Sequence, residues 1–201
     1  SCSWSVTTGP AINKAVNEND LAFVFAAGNQ GYNSETGKIA FYNDDGSYYG
    51  SFDIPGLVEA SVLHSSKLNR ATAQARYGNS LGKNWISVIA VDESGKITSW
   101  SNGCGDSKNF CIAAPGTNIY STVDPNDPNH SGNYGVMSGT SMAAPHVTGS
   151  FAVLKQKYPN LSASQIVEIL LTTATDLGVT GVDEVYGVGL LNLGAAVQPL
   201  G

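Results

Sequence analysis

The sequence predicts an α/β fold with a mainly parallel sheet, and three observations lead there. Two apolar runs, "LAFVFAA" (21–27) and "WISVIAV" (85–91), read as strands buried on both faces, as in a parallel sheet. Stretches of helical periodicity precede and follow such runs, so helices and strands alternate. A length of 201 residues with only 13% charged side chains suits one sizeable core, and hence one domain.

The elements follow in order. Pro10 opens an amphipathic stretch over 11–19 that leads straight into the first apolar run. Between Gly31 and Lys83 the pattern lapses into polar, Tyr-, Asn- and Gly-rich sequence, read as a surface insertion at about 32–83. It contains a hairpin turning at "NDDGS" (43–47). Shorter strands are expected at 97–100 and 110–114. A long helix is expected over 135–158, ended by Pro159. Ser162 and Gln165 have capping-box spacing, and Ile166, Ile169, Leu170 and Thr173 then recur at helical period. No internal repeat is apparent.

Composition excludes several roles. The formal net charge is −6 and no basic residues cluster, which argues against nucleic acid as a partner. No stretch reaches the roughly 20 apolar residues of a membrane span. No signal peptide opens the chain, which begins at "SCSWSV", so any export signal is expected to have been upstream and removed. Cys104 and Cys111 lie in the short polar loop "NGCGDSKNFC", which can close as a disulfide. Two structural cysteines that never meet are the alternative. A bridge implies an oxidising compartment and leaves Cys2 over.

Chemistry concentrates in "SGTSMAAPHVTG" (138–149). A turn of small and hydroxylated residues, Gly139-Thr140-Ser141, runs into a helical pattern, with Pro145 within or just past the first turn. Unpaired N–H groups and partial positive charge at a helix N-terminus favour negative charge developing nearby. A plain Ser/Thr helix cap is the simpler explanation of the same residues. In "FAAGNQG" (25–31), Asn29 follows a buried strand and is flanked by Gly28 and Gly31. Asn in such a turn usually serves backbone geometry, but its amide is also a donor suited to an oxyanion.

"AAGN" (26–29), "APG" (114–116) and "GTSMAAPHVTG" (139–149), in that order, resemble the subtilisin-like serine proteases. The likeness runs from Trp4 to Gly194 and takes in "YGVGLLNLGAAV" (186–197) as a closing strand and helix. The cysteine-bearing stretch 99–116 is more particularly similar to subtilases of bacterial autotransporters. The resemblance implies a three-layer subtilisin-like fold, incomplete at its N-terminal side, and a secreted or bacterial cell-surface location. It makes Ser141 the nucleophile, with Asn29 and the Ser141 N–H as oxyanion donors. Ser3, Trp4 and Ser5 would line the first specificity pocket and pair with substrate backbone, although the family usually has Gly in place of Ser5. Ala27, Gly28 and Gln30 would form another wall. Gln30 is neutral, so no preference for a charged side chain follows.

In that family the order is Asp, His, Asn, Ser. The contexts of the Asp and His are absent here, so both are expected upstream of Ser1, on an N-terminal segment or a second chain. The 201 residues then read as the C-terminal portion of one catalytic domain. His146 lies five residues past Ser141, about 140° away around an ideal helix, and reads as a buried helix histidine. Asp53 and His64 lack the family contexts and read as loop surface; His130 reads as solvated. The partner expected is a protein or peptide substrate. No cofactor is required for the chemistry. Structural calcium is compatible with the resemblance but has no identifiable site, since Asp124 and Asp127 read as turn residues. The alternative function is a non-catalytic fragment that only binds peptide or completes a fold.

Overall fold

The computed structural model describes residues 8–29, 32–33, 38–42, 48–52, 83–126, 130 and 132–198. In chain order come α1 (Thr8–Asn19), β1 (Phe23–Ala26), β2 (Tyr32–Asn33), β3 (Lys38–Tyr42), β4 (Tyr48–Phe52) and β5 (Trp85–Val91). A 3-10 helix (Gly105–Phe110) leads into β6 (Cys111–Pro115). Then follow β7 (Ile119–Thr122), β8 (Tyr134–Met137), α2 (Thr140–Lys157), α3 (Ala163–Thr172) and α4 (Leu193–Ala196).

The core sheet has the order β1–β5–β6, with both pairings parallel. Side chains alternate across a strand, so β5 serves two layers at once. Its Ile86, Val88 and Ala90 pack with Ala143, Val147 and Leu154 of α2 and with Ile166, Val167 and Leu170 of α3. On the opposite face Trp85 meets Val16 of α1, and Ile89 and Val91 pack with both cysteines of the 104/111 pair. This is a helix–sheet–helix sandwich, the α/β fold with a parallel sheet that the sequence predicts. Cys104 and Cys111 form a disulfide with a Cα–Cα distance of 5.7 Å and are fully buried. Cys2 lies outside the described residues.

β5 is buried along its whole length, as expected. β1 is not: Phe23, Val24 and Phe25 are half-buried and Ala26 is exposed. Among the described residues β1 is paired on one side only. The apolar run is what a central strand needs, but burial also requires a neighbour on each side.

α3 begins as predicted. The Ser162 hydroxyl accepts from the Gln165 N–H, and the Gln165 side chain accepts from the Ser162 N–H at 2.8 Å. α2 begins later than the pattern suggests. Residues 134–137 form β8, antiparallel to β7, and Gly139 then carries extended backbone into Thr140. Residues 97–100 supply only a bridge from Ile97 to Val91, because the turn over 92–96 reverses the chain at once. The other short strand, expected at 110–114, is present as β6. The hairpin expected around 43–47 has its flanking strands in β3 and β4, paired antiparallel. The turn itself lies outside the described residues. At the C-terminus Leu190 bridges to Ala113 of β6, and Asn192 caps α4. Among the described residues no helix is long and apolar enough to cross a membrane.

Candidate active site

Parallel strands deliver their following loops to one edge of the sheet, and the candidate residues gather there. The chain leaves β1 through Ala27 and Gly28. Gly28 has φ +103°, a conformation that L side chains rarely adopt. This turn aims Asn29 at the start of α2. The Asn29 Oδ1 accepts two hydrogen bonds from Thr140, one from its N–H at 2.9 Å and one from its hydroxyl at 2.8 Å. The Gly28 N–H donates back to the Thr140 hydroxyl at 3.1 Å. With Oδ1 committed to Thr140, the amide must present Nδ2 away from it.

Nδ2 then lies beside Ser141. The position that a Cβ on Gly139 would take is 3.3 Å from Asn29 Nδ2 and 3.7 Å from the Ser141 nitrogen. Both donors therefore border one small space. The Thr140 N–H is taken by Asn29, and the Met142 and Ala143 N–H groups turn back to the Gly139 carbonyl. Among the described residues that leaves the Ser141 N–H as the first-turn donor without a partner. A helix start without acidic side chains adds its partial positive charge at the same place. Ser141 itself is exposed.

Gly116 explains the "APG" motif. Its N–H donates to Val91 and its carbonyl accepts from Gly139 at 2.8 Å. A Cβ there would fall 2.5 Å from that of Ala90 and 2.9 Å from the Gly139 carbonyl. Only glycine lets the start of α2 seat this closely on the sheet. Pro145 sits inside α2, so no N–H returns to the Ser141 carbonyl.

A cavity of about 360 Å³ opens beside Ser141, between α2 and the β7–β8 hairpin, bordered by Met142, His146, Ile119 and Met137. A larger one, about 520 Å³, lies by α3 and contains none of the candidate residues. His146 is half-buried rather than buried. Its Nδ1 faces the Met142 carbonyl at 2.9 Å, so the N–H must sit there and donate along its own helix. The imidazole borders the same cavity as Ser141 without a hydrogen bond to it. His130 is also half-buried, its ring packed over Gly135, rather than solvated. Asp124 caps its own turn by accepting from Asn126. Among the described residues no three His, Cys, Asp or Glu side chains converge. Ser3, Trp4, Ser5, Gln30, Asp53, His64 and Asp127 lie outside the described residues.

Two residues were not legible as part of this site. Thr140 holds Asn29 across 111 positions, and its only signal is its place beside Ser141. Asn102 is 2% exposed and reaches the turn from the other side, its side-chain amide donating to the Ala27 carbonyl at 3.0 Å.

The family model described as the subtilase family, peptidase S8, matches residues 1–189. The serotype-specific antigen 1 of Mannheimia haemolytica is 52% identical over 125 residues, which is 61% of this chain and 13% of that protein. An extracellular serine protease of Serratia marcescens is 42% identical over 131 residues, 57% of this chain and 12% of that protein. Among solved structures, the MycP3 protease from the type VII (ESX-3) secretion system aligns with a TM-score of 0.56 at 26% identity. That alignment covers 96% of this chain and 48% of MycP3. The chain thus spans less than half the length of each of these relatives.

Proposed function

The chain belongs to the subtilase family, and we propose that it carries the nucleophile and oxyanion hole of a secreted or cell-surface serine endopeptidase. The catalytic Asp and His come from a segment outside these 201 residues. The observation that carries the reading is the pairing of Asn29 Nδ2 with the Ser141 N–H around one point, fixed by Thr140. Such preorganised donors do not reorganise as charge develops, which is why they lower an acyl-transfer barrier.

In the reaction, an imidazole takes the Ser141 Oγ proton as the oxygen attacks the substrate carbonyl. The carbonyl oxygen, now negative, accepts from Asn29 Nδ2 and the Ser141 N–H. The protonated imidazole hands its proton to the leaving amine, and water then releases the acyl group by the reverse sequence. Ala27 and Gly28, with Ser3, Trp4, Ser5 and Gln30, wall the pocket for the residue on the acyl side. No cofactor takes part. The 201 residues alone are inactive in this reading, because a serine hydroxyl without a base is a poor nucleophile near neutral pH.

A fluorophosphonate probe tests this. The full-length protein labels rapidly at Ser141, and the isolated 201 residues label slowly or not at all. Rapid labelling of the isolated chain would return attention to His64. Labelling of the full-length protein at another serine removes Ser141 from the role, and no labelling at all supports the non-catalytic alternative.

A further inference from the structure

The turn that carries Asn29 is gripped from two directions. Thr140 holds one side, through the Gly28 N–H and the Asn29 side chain. Asn102 holds the other with two donors on consecutive carbonyls. Its side-chain amide donates to the Ala27 carbonyl at 3.0 Å, and its backbone N–H donates to the Gly28 carbonyl at 2.9 Å. With the Ala27 N–H bonded to the Val88 carbonyl at 2.9 Å, the polar backbone groups of Ala27 and Gly28 are all engaged. Gly28 is the residue whose peptide planes rotate most easily, and these bonds fix both planes that flank it.

Asn102 is itself mounted rigidly. The preceding Ser101 hydroxyl accepts from the Ala90 N–H of β5 and donates to the Asn102 carbonyl, both at 3.0 Å. Two residues later Cys104 is joined to Cys111 at the start of β6. The grip on the turn is therefore tied to β5 by a hydroxyl and to β6 by a covalent bond.

We propose that Asn102 is a positioning residue for catalysis, which sets the direction of the Asn29 side chain by clamping the Ala27 and Gly28 carbonyls. This rests on Asn29 being an oxyanion donor, as argued above. Thr140 alone does not fix that direction, because it holds the Gly28 N–H and the tip of the side chain but neither the Ala27 nor the Gly28 carbonyl. A donor that wanders stabilises the transition state less while leaving substrate binding largely intact.

The test is a double-mutant cycle in the full-length enzyme, with kcat expressed per serine titrated by a fluorophosphonate so that unfolded protein does not count. Asn102→Ala lowers kcat by roughly ten- to a hundredfold, where a full 1 Å misplacement costs about a hundredfold, and moves KM by less than about threefold. In an Asn29→Leu background the same substitution has no further effect on kcat, since the group it positions is gone. A merely structural role predicts the same factor in both backgrounds, and that result overturns the proposal. So does a change confined to KM. If Asn29→Leu alone leaves kcat intact, the oxyanion reading fails first and is seen to fail separately. Should Asn102→Ala yield no folded protein, Asn102→Leu goes through the same cycle, because it keeps the approximate volume and the backbone donor and loses the side-chain amide without adding a charge.

Discussion

Two turns leave neighbouring strands at the same edge of the sheet, and each is organised by a side-chain oxygen of an Asn or Asp. After β5, the Asp92 Oδ1 accepts from the Ser94 N–H, the Ser94 hydroxyl and the Lys96 N–H, at 2.9, 2.6 and 3.0 Å. Every partner lies within four positions, and the turn closes on itself. After β1, the Asn29 Oδ1 accepts from a residue 111 positions away. A carboxylate has only acceptors to spend, whereas an amide held by its oxygen still has Nδ2 to offer. One turn is satisfied by its own sequence and does nothing more. The other is satisfied from a distance and keeps a donor aimed beside Ser141.

The sharpest way to break that contrast is Asn29→Leu in the full-length enzyme. It should lower kcat by roughly 10²–10³, the size known for loss of one such donor from a subtilisin, with little change in KM. A normal kcat would make the turn after β1 as inert as its neighbour. Thr140→Val comes next. Thr140 is fully buried, and the substitution removes one of the two bonds to Asn29 while stripping the Gly28 N–H of its acceptor. The Thr140 N–H remains to hold Oδ1. A net hydrogen bond is worth about 1 kcal/mol, and 1.36 kcal/mol is a factor of ten in rate, so a fall in kcat of roughly tenfold or less is expected. Thermal stability falls as well, because a part-buried N–H is left unpaired. A Thr140→Val enzyme slower than Asn29→Leu would mean that the hydroxyl acts on the reaction by itself.

The same contrast governs what could be read from the residues. The capping box at Ser162 and Gln165, the buried run of β5 and the disulfide loop are local, and each was legible. Ser141 and Asn29 stood out because short motifs surround them. Their partners did not, since Thr140 and Asn102 act through bonds spanning 111 and 75 positions. No periodicity records such a bond. The errors have the same origin. β1 reads as a central strand from its apolar run, yet its exposure is set by what pairs with it. Residues 135–137 look like the first turn of a helix until β7 is known to lie alongside.

The smallest effect belongs to the self-contained turn, and it tests the contrast from the other side. The Ser94 hydroxyl bond, and after it the Lys96 N–H, hold the Asp92 carboxyl below its ordinary range against a weaker opposing effect of burial. A carboxylate whose folded pKa is depressed contributes stability above its unfolded value, near 4. That contribution fades as the pH falls through the folded pKa. Asp92→Asn keeps the shape and an acceptor oxygen but removes the charge, so it isolates this effect. The variant should melt slightly below the native protein at neutral pH, and the gap should close as the solution is made more acidic than the carboxylate range. The turn is exposed to solvent, so the gap is small throughout and shrinks further in high salt. Activity at neutral pH should be unchanged, because nothing in the turn after β5 reaches Asn29 or Ser141 through its side chain. A melting gap that widens in acid would show that the charge at Asp92 is not what closes the turn. A loss of kcat would show that the two turns are coupled through the sheet edge, and that the division between them is wrong.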